Sequence, residues 1–351
     1  MKIGVLKGNG IGPEITAATI RVVDALGLDI EWVNIPIAEE AVALYGHPVP
    51  GEAIQMLKDV KVAIKGPISV EKGKGRVTCY HEDGSEYVYP SFNNAIRREL
   101  KLFVCQRPTR GIPGISGDHE NMNVVIMREL TEDVYSAIEH RIGDVAAECV
   151  KLVTREAAER IARYGFEYAR KHNRKKVTCV HKANAISITD GFFLECFRRV
   201  AAEYPDIESD DYFVDATTVY LLKKPEMFDV IVTTNQYGDI LSDLCAGLMG
   251  SLGLGAGANI GFDGAVFEAA HGSAPDIAGM GIANPTSLIL SAVQMLHYIG
   301  EDRSADLLEE AVRSVLIEGA CKTRDLGGSA STEEYTAAVI DRVRQLMEAA
   351  K

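Results

Sequence analysis

Short runs of β-branched and apolar residues alternate with longer amphipathic stretches, and this alternation limits the possible folds more than any other feature of the sequence. The run Ile3 to Leu6 precedes a helical pattern from Pro13 to Leu26, in which Pro13 suits the first turn and Gly27 ends the helix. Further apolar runs lie at 60–64, 124–127, 177–180 and 228–233, and another helical pattern covers 285–298. Strands that alternate with helices form layers around a largely parallel sheet, so the sequence predicts an α/β fold.

Length and charge restrict the class of protein further. The 351 residues are enough for two domains, since one domain commonly has about 100–200 residues. The 37 basic and 50 acidic side chains give a formal net charge of -13, which would repel a nucleic acid backbone. We therefore expect no nucleic acid partner, and any anionic ligand must be bound by a local group of arginines or lysines.

Cysteine spacing and hydropathy bear on the compartment. The seven cysteines include no CxxC pair, so the sequence predicts neither a zinc site nor a disulfide framework. The amino terminus reaches Gly4 before any apolar run long enough for a signal peptide, and no stretch approaches the roughly 18 apolar residues of a membrane span. We expect a cytoplasmic protein with reduced thiols and no association with a membrane.

Two glycine-rich segments resemble nucleotide-binding motifs without matching them. The segment from Gly8 to Pro13 follows the first strand, but Pro13 occupies the place of the third glycine in a GxGxxG fingerprint. Glu31, the candidate ribose acid, lies within a strand-like run. The segment from Gly247 to Gly261 lacks the GKS or GKT ending of a P-loop. The first segment is explained by a tight strand-to-helix turn, and the α/β fold is predicted to be non-Rossmann.

A pair of aspartates follows the apolar run at 228–233. If this segment enters a helix, Asp239 and Asp243 are four residues apart and project from one face. Hard carboxylate oxygens at the carboxyl end of a strand suit Mg²⁺ or Mn²⁺, and Asp215 is a third candidate ligand. The alternative is a solvated acidic pair on a helix surface.

Several cationic and phenolic side chains are candidates for binding and proton transfer. Arg97, Arg107 and Arg128 punctuate apolar segments, and a guanidinium group binds a carboxylate in bidentate fashion. Lys182 and Tyr135 can exchange protons if burial or a neighbouring cation lowers their pKa values. Taken singly, each is equally explained as a solvated, ion-paired or packed side chain.

In combination, these motifs resemble the β-decarboxylating dehydrogenases, the family that contains isocitrate, isopropylmalate and homoisocitrate dehydrogenases. The resemblance covers nearly the whole chain through KGNGIGPEI, SFNNAIRRELKLFVCQRP, VHKAN, NQYGDILSD, GANIG and FEAAHGSAPDIAGMGIANP. It implies a three-layer αβα fold with two domains around a mixed sheet. The large, cofactor-binding domain would comprise 1–101 and 251–351. The small domain, 102–250, would carry the substrate and metal sites and the dimer interface, with a clasp-like segment near 133–154.

The resemblance also implies roles for individual residues. Carboxylates of a tricarboxylate substrate would be bound by Arg97, Arg107 and Arg128, with Ser91 and Asn93 near the distal carboxylate. Mg²⁺ or Mn²⁺ would be bound by Asp215, Asp239 and Asp243, and protons would be transferred by Tyr135 and Lys182 with help from Asp215. NAD would be bound by Ser69, Asn184, Glu268, His271, Gly272, Ala274, Asp276, Ile277 and Asn284. Asp215 and Lys182 would enter the site from a partner subunit, which implies a homodimer or higher homo-oligomer with shared active sites.

Two pairs of positions define the expected specificity. Enzymes of this family that use NADP have Lys and Tyr where this chain has Asp276 and Ile277; a carboxylate accepts hydrogen bonds from both ribose hydroxyls but repels a 2′-phosphate, so NAD is expected. The Ser91-x-Asn93 pattern resembles isocitrate dehydrogenases, whereas isopropylmalate enzymes have apolar leucines there. The expected reaction is NAD-dependent oxidative decarboxylation of isocitrate to 2-oxoglutarate and CO₂.

Departures from the family pattern leave alternatives open. Residues 72–90 are predicted to form an inserted loop beside the expected substrate pocket, the first motif reads GNG where GDG is commoner, and Leu130 replaces the usual Asn. Homoisocitrate and 3-isopropylmalate are the alternative substrates. A non-catalytic subunit of a hetero-oligomeric dehydrogenase is disfavoured, because every metal and proton-transfer position is filled.

Overall fold

Strands and helices alternate along the chain as the sequence predicts. The computed structural model describes residues 1–71, 75–81 and 83–349. The strands are β1 (Lys2–Leu6), β2 (Glu31–Asn34), β3 (Val62–Lys65), β4 (Val77–Tyr80), β5 (Glu86–Tyr89), β6 (Leu102–Arg110), β7 (Asn123–Glu129), β8 (Glu139–Ile142), β9 (Ala146–Cys149), β10 (Lys176–His181), β11 (Glu208–Phe213), β12 (Val230–Thr233), β13 (Ala256–Gly261) and β14 (Ala265–Ala269).

The helices that lie between these strands are mostly amphipathic. They are α1 (Gly12–Asp24), α2 (Glu39–Tyr45), α3 (Gly51–Val60), α4 (Phe92–Glu99), α5 (Arg155–Lys171), α6 (Thr189–Ala201), α7 (Val214–Lys223), α8 (Asn235–Leu248), α9 (Thr286–Tyr298), α10 (Asp302–Glu318) and α11 (Thr332–Ala349). The predicted helices at 13–26 and 285–298 are confirmed as α1 and α9. Proline lies at the start of α1, and Gly27 follows its end with a φ of 72°. No helix in the described ranges is both long and apolar enough to cross a membrane.

The chain forms two compact units, each with its own strands and helices. The first unit comprises 1–102, 112–117 and 250–351. Its strand order is β13-β14-β3-β1-β2, parallel except where β13 pairs with β14. All four residues of β3 are buried, as expected for a strand that is covered on both faces. Helices α1, α9, α10 and α11 pack together in this unit.

The second unit comprises 103–111 and 118–249, with the strand order β11-β10-β12-β7-β6. The first four strands are parallel, and β6 is antiparallel to β7. Buried Ile126, Val180, Ile231 and Leu241 pack β7, β10 and β12 against α8. Because parallel strands end at the same edge of a sheet, the segments that follow β7, β10, β11 and β12 are brought to one edge of this unit.

The predicted inserted loop at 72–90 is wrong for residues 77–80 and 86–89, which form the antiparallel hairpin β4–β5. Residues 72–74 and 82 lie outside the described residues. Glu99, at the end of α4 and with 2% of its side chain exposed, joins the hairpin to its surroundings. It accepts a hydrogen bond from the Tyr89 hydroxyl at 2.6 Å, lies 2.9 Å from His81 Nε2, and forms an ion pair with Lys58. Burial would raise the pKa of Glu99, but the hydrogen bonds from Lys58 and Tyr89 outweigh it and lower that pKa.

A second hairpin, β8–β9, lies within the segment expected to form a clasp. Every residue of both strands is exposed, and Val145 in the connecting turn is 90% exposed. In and beside the hairpin, Ile138, Ile142, Val145 and Val150 expose apolar surface. Exposed strands with apolar side chains of this kind are typical of a surface that binds another protein.

Candidate active site

The carboxyl edge of the parallel strands in the second unit gathers most of the predicted reactive side chains. The register pairs Val180 of β10 with Thr233 of β12, and Thr233 with Arg128 of β7. Lys182 therefore follows β10, helix α8 follows β12, and Asp215 follows β11 in the first turn of α7. Open α/β sheets bind ligands at this edge, so the location agrees with a reactive site.

Asp239 and Asp243 are confirmed as a pair on one helix, because α8 spans Asn235–Leu248. Asp239 forms an ion pair with Arg128 and accepts a hydrogen bond from the Tyr135 hydroxyl at 3.0 Å. Arg128 is 2% exposed, and its Nε donates to Asn235 Oδ1 at 2.8 Å. The guanidinium of Arg128 also lies 5.7 Å from the centre of the Tyr135 ring. Four predicted residues of the site, Arg128, Tyr135, Asp239 and Asp243, are therefore brought together.

Asp243 has the properties of a cation ligand. Its carboxylate forms no hydrogen bond or ion pair with any described residue. Loss of solvent raises the pKa of Asp243, the Arg107 guanidinium opposes that rise, and the charge of Asp239 adds to it. A divalent cation between the two carboxylates would remove this repulsion, so the pair fits Mg²⁺ or Mn²⁺.

The expected set of three aspartates is not formed within one chain. Among the described residues, no group of three His, Cys, Asp or Glu side chains is arranged to hold a metal ion. Asp215 is instead paired with Lys182, whose Nζ lies 2.6 Å from Asp215 Oδ1. The hydrogen bond from Lys182 lowers the pKa of Asp215. Lys182 and Asp215, two of the predicted site residues, are thus brought together as an ion pair, with 24% and 65% of their side chains exposed.

Two of the predicted arginines share one face of the sheet. In the register of β6 and β7, Cys105 is opposite Arg128, and Arg107 is two residues from Cys105. Side chains two apart on a strand point the same way, so Arg107 and Arg128 are diagonal neighbours. Arg107 Nε donates to Cys105 Sγ at 3.1 Å. This face can bind the carboxylates of an anionic ligand.

Gly238 allows α8 to lie close to Arg128. A Cβ atom at position 238 would be 2.6 Å from both Cβ and Cγ of Arg128 and 3.2 Å from its Cα. A larger residue would therefore displace the guanidinium that contacts Asp239. Close packing of α8 against Arg128 therefore explains the glycine within NQYGDILSD.

In the first unit, three loops meet around the glycine-rich segment after β1. Asn9 Nδ2 donates to the Ser69 carbonyl at 2.7 Å, and the Ser69 amide donates to Asn9 Oδ1 at 2.9 Å. The hydroxyls of Ser69 and Ser273 lie 2.6 Å apart. A Cβ at Gly10 would lie 1.9 Å from the Ser273 carbonyl oxygen. The glycines thus permit contact between loops, and the Asn of the GNG variant makes a reciprocal pair that an ionised Asp could not complete.

The loop with His271 and Asp276, which was expected to bind NAD, presents polar groups without hydrogen-bond partners among the described residues. His271 Nδ1 is 3.0 Å from the Gly272 carbonyl, while His271 Nε2 is buried with no hydrogen-bond partner among the described residues. Burial lowers the pKa of His271, so its ring is neutral at pH 7. Asp276 is exposed and forms no hydrogen bond or ion pair with a described residue. A buried nitrogen without a partner and a free carboxylate fit a ligand that carries donors and acceptors, as NAD does.

The remaining residues expected to bind cofactor have supporting or peripheral positions. Asn284 is 7% exposed and donates to Asp325 Oδ2 at 2.9 Å, which fixes the end of the loop. Ala274 and Ile277 pack against the buried cluster of Ile11, Ile15, Ala269, Ala283 and Leu288. Asn184 is exposed and belongs to the second unit.

A buried ion pair that the sequence did not indicate lies beside the expected substrate residues. Lys65 Nζ is 2.8 Å from Glu268 Oε2, and the two side chains are 5% and 9% exposed. Asn259 Nδ2 donates to Glu268 Oε1 at 2.7 Å. These residues line one small pocket together with Asn93, Ile96, Arg97 and Val266. This ion pair was not predicted, because it depends on the pairing of β3 with β14. The local signal that could have identified Lys65 is a lysine at the end of an otherwise apolar strand.

Ser91 caps the helix that carries Asn93 and Arg97. Its side chain accepts a hydrogen bond from the Asn94 amide at 3.2 Å at the start of α4. Ser91 and Asn93 are exposed and Arg97 is half-buried. The cap leaves the Ser91 hydroxyl proton available to donate to a ligand.

The chain is similar to known proteins along nearly its whole length. The family model described as isocitrate/isopropylmalate dehydrogenase matches residues 2–342. Over 335 residues, 95% of this chain and 85% of the relative, the chain is 41% identical to the probable isocitrate dehydrogenase [NAD] subunit alpha, mitochondrial, of Drosophila melanogaster. It is 42% identical over 358 residues to the homoisocitrate dehydrogenase of Methanocaldococcus jannaschii, with 99% of each chain covered. The crystal structure of isocitrate dehydrogenase from Methylococcus capsulatus matches with a TM-score of 0.90 at 44% identity, covering 98% of this chain and 99% of that one.

Proposed function

The chain belongs to the isocitrate/isopropylmalate dehydrogenase family, and from this premise we propose that it converts isocitrate to 2-oxoglutarate and CO₂ with NAD as the oxidant. The observation that supports the reaction class is the arrangement of Arg128, Tyr135 and Asp239 beside the free carboxylate of Asp243. It combines a carboxylate-binding cation, a proton donor and a cation site at one strand edge.

The choice of isocitrate depends on α4. The relatives named as isocitrate and homoisocitrate dehydrogenases have nearly equal identities, 41% and 42%, so their names do not distinguish the two substrates. The exposed hydroxyl of Ser91 and the amide of Asn93 suit the distal carboxylate of isocitrate and would be left unpaired against an isopropyl group. Homoisocitrate carries the same carboxylate on a longer branch and is the second candidate substrate.

We propose that Asp239 and Asp243 hold Mg²⁺ or Mn²⁺ together with the partner subunit's Asp215. When bound, the ion supplies Lewis-acid stabilisation of the negative charge that develops on the substrate oxygens. Arg107 and Arg128 bind substrate carboxylates on their shared face of the sheet, and Arg97 binds a carboxylate from α4. The loop with His271, Gly272 and Asp276, together with Ser69, Asn184 and Glu268, binds NAD, which supplies the hydride acceptor when bound.

Two proton transfers are assigned to side chains of this chain. As hydride leaves the carbon that carries the substrate hydroxyl, Lys182 passes a proton to Asp215, 2.6 Å away, and takes the hydroxyl proton in its place. Asp215 then releases its proton towards solvent. The resulting β-keto acid releases CO₂, which leaves an electron pair at the α-carbon, and Tyr135 donates a proton there. Burial and the neighbouring charge of Asp239 raise the pKa of Tyr135, which keeps its phenol protonated until that step.

A kinetic comparison of three substrates tests the proposal. The purified chain, assayed alone with Mn²⁺, should show its highest kcat/KM with isocitrate and NAD among isocitrate, homoisocitrate and 3-isopropylmalate, each with NAD and NADP. A higher kcat/KM with homoisocitrate would reassign the substrate, and a chain inactive alone would indicate a non-catalytic subunit.

The proposed contact of Asp276 with NAD is tested by substitution. Asp276→Ala should raise KM for NAD by about 10-fold or more, since a hydrogen bond to a charged group contributes about 1.5–3 kcal/mol. Asp263→Ala, which removes an exposed aspartate paired with Lys61 in the same unit, is the control.

We propose that the protein is a homodimer in which Lys182 and Asp215 complete the partner's site. Their 2.6 Å contact allows them to act as one unit there. In the exposed β8–β9 hairpin, Ile142 and Val145 offer apolar surface for the interface. Inactive Tyr135→Phe and Lys182→Met proteins, unfolded and refolded together, should regain about a quarter of wild-type activity, because half of randomly formed dimers are mixed and each has one intact site. Each variant refolded alone should stay inactive. No recovery in the mixture would place both residues in the same subunit's site.

We also propose that the first unit is the cofactor-binding domain and the second is the substrate, metal and dimerisation domain. A cytoplasmic location is likewise proposed for this chain, although the Drosophila relative is named as mitochondrial. Fractionation of the native cells with an antibody to this chain tests the location.

A further inference from the structure

A buried ion cluster in the second unit contacts the segments that carry Tyr135 and Lys182, the two residues proposed to transfer protons. Lys151, just after β9, has its Nζ 2.7 Å from Asp190 Oδ1 and 3.7 Å from Asp133 Oδ1. The three side chains are 11%, 0% and 1% exposed. The ammonium group also lies 4.1 Å from the centre of the Tyr237 ring on α8. A lysine with this little solvent is a costly feature, and the proposed reaction does not use it directly.

Each aspartate of the cluster extends towards one proton-transfer residue. Asp190 presents Oδ1 to Lys151 and accepts a hydrogen bond from the Lys182 backbone amide at Oδ2, at 2.7 Å. Asp133 lies two residues before Tyr135. It accepts from the Val134 amide at 2.8 Å and from the Gln236 amide, in the first turn of α8, at 2.9 Å. Lys151 therefore connects the turn before Tyr135, the backbone of Lys182 and the start of the helix that carries Asp239 and Asp243.

The backbone at Asp133 shows that this turn is held by its surroundings. Its φ of 73° and ψ of -162° form a combination that residues with a Cβ rarely adopt. Such a conformation persists only when several contacts specify it, and here the Asp133 amide also donates to the Leu152 carbonyl at 2.9 Å. Leu152 is the neighbour of Lys151, so the same short segment holds Asp133 by its backbone and by its charge.

We propose that Lys151 is a positioning residue, whose buried ammonium group fixes, through Asp133 and Asp190, the backbone turns that carry Tyr135 and Lys182. This inference rests on the proposed function for the roles of those two residues. A buried ion pair commonly contributes little net stability compared with apolar residues of similar volume. The distinctive consequence of its loss is therefore misplacement of the acid and the base, which lowers turnover.

The test compares Lys151→Met with Lys176→Met in the full-length protein. Lys176 also pairs with an aspartate, Asp210 at 3.0 Å, and lies at the opposite end of the strand that leads to Lys182, so it is a matched control. Lys151→Met should lower kcat by about 10- to 100-fold, since small misplacement of reacting groups has effects of that size. KM for NAD should change less than about twofold, because the proposed NAD residues lie mainly in the first unit. Lys176→Met should leave kcat unchanged.

A double variant separates positioning from stability. Lys151→Met combined with Asp190→Asn removes the two charges of the 2.7 Å ion pair, so its Tm should recover towards that of the wild type, while kcat should remain low because Asp133 still lacks the ammonium group beside it. Recovery of kcat together with Tm would overturn the proposal, as would a kcat of Lys151→Met within about threefold of the wild type. If the single variant does not fold, the double variant decides alone.

Amide hydrogen exchange provides a readout that needs no substrate. In the ligand-free protein, Lys151→Met should increase exchange in peptides covering 131–137 and 182–190, including the Lys182 amide, and Lys176→Met should not. Unchanged exchange there would overturn the positioning role whatever the reaction is. Increased exchange in a protein that does not oxidise isocitrate would instead reject only the proposed function.

Discussion

Replacing Asp243 by Asn is expected to lower metal-dependent kcat/KM strongly while leaving the metal-free protein as stable as the wild type or more so. Among the described residues the carboxylate has no hydrogen-bond or ion-pair partner, and its pKa is raised first by loss of solvent and then by repulsion from the charge of Asp239. The variant thus removes a repulsion worth a few tenths of a kcal/mol between like charges four residues apart on a helix. The same change deletes a hard oxygen ligand, and Lewis-acid stabilisation is worth several kcal/mol, so kcat/KM should fall by about 10³-fold.

Two measurements on the same samples test this expectation. Mn²⁺ should raise the Tm of the wild type, because a ligand that binds only the folded state stabilises it, and should leave the Tm of Asp243→Asn unchanged. Glu203→Gln removes an exposed acid of the same unit that pairs with Arg163, and it should retain the full response to Mn²⁺. A variant that keeps both its turnover and its Mn²⁺-dependent shift would show that Asp243 is not a metal ligand.

Features determined by local periodicity were predictable from the sequence. The helix α8 could be expected from its apolar spacing after a strand, so the shared face of Asp239 and Asp243 was correctly predicted. The same holds for α1 with its proline and glycine boundaries, and for the strand β10, which ends just before Lys182. In each case the chain neighbours alone carry the information.

Features that depend on distant partners were not predictable. The hairpin β4–β5 was taken for a loop because its attachment is to Glu99, a residue of another element that gathers Tyr89, His81 and Lys58. The ion pair of Lys65 with Glu268 joins strands that are far apart in sequence. The periodicity of apolar residues does not predict contacts between charged residues that are far apart in sequence. The free energy of a buried charge depends on its partner, and that partner is known only once the fold is known.

The glycines of the GNG segment were correctly predicted to form a turn, but the turn is only part of the reason for them. These glycines were predicted to allow a tight turn, and Gly8 and Gly10 do have φ values of 72° and 60°. The structure adds that a Cβ at Gly8 would lie 1.9 Å from the Pro67 carbonyl oxygen. The requirement for glycine is therefore set by neighbouring loops as well as by the turn, which explains why the spacing imitates a nucleotide-binding fingerprint without being one.

Replacing Tyr135 by Phe is expected to lower kcat by about 10²- to 10⁴-fold, the range for loss of a positioned general acid. The change removes one hydroxyl, which donates to Asp239 at 3.0 Å, and keeps the ring that lies beside the Arg128 guanidinium. Metal binding and KM for isocitrate should therefore stay close to the wild-type values. In the proposed sequence Tyr135 acts after hydride transfer, so mixing the variant with saturating substrates should produce a rapid burst of about one NADH per site before a slow steady state.

A burst would assign Tyr135 to the protonation that follows hydride transfer, which a simple loss of activity would not do. Lys182→Met, which removes the base for the first proton transfer, should abolish both the burst and the steady state. Tyr204→Phe is the control, since that hydroxyl also donates to a carboxylate, Glu167 at 2.6 Å, and should turn over normally. A Tyr135→Phe protein with no burst would place the phenol before or at hydride transfer, and one with wild-type kcat would remove it from the chemistry. Because the ring, the arginine and both aspartates are unchanged in this variant, any such result would bear on the hydroxyl proton alone.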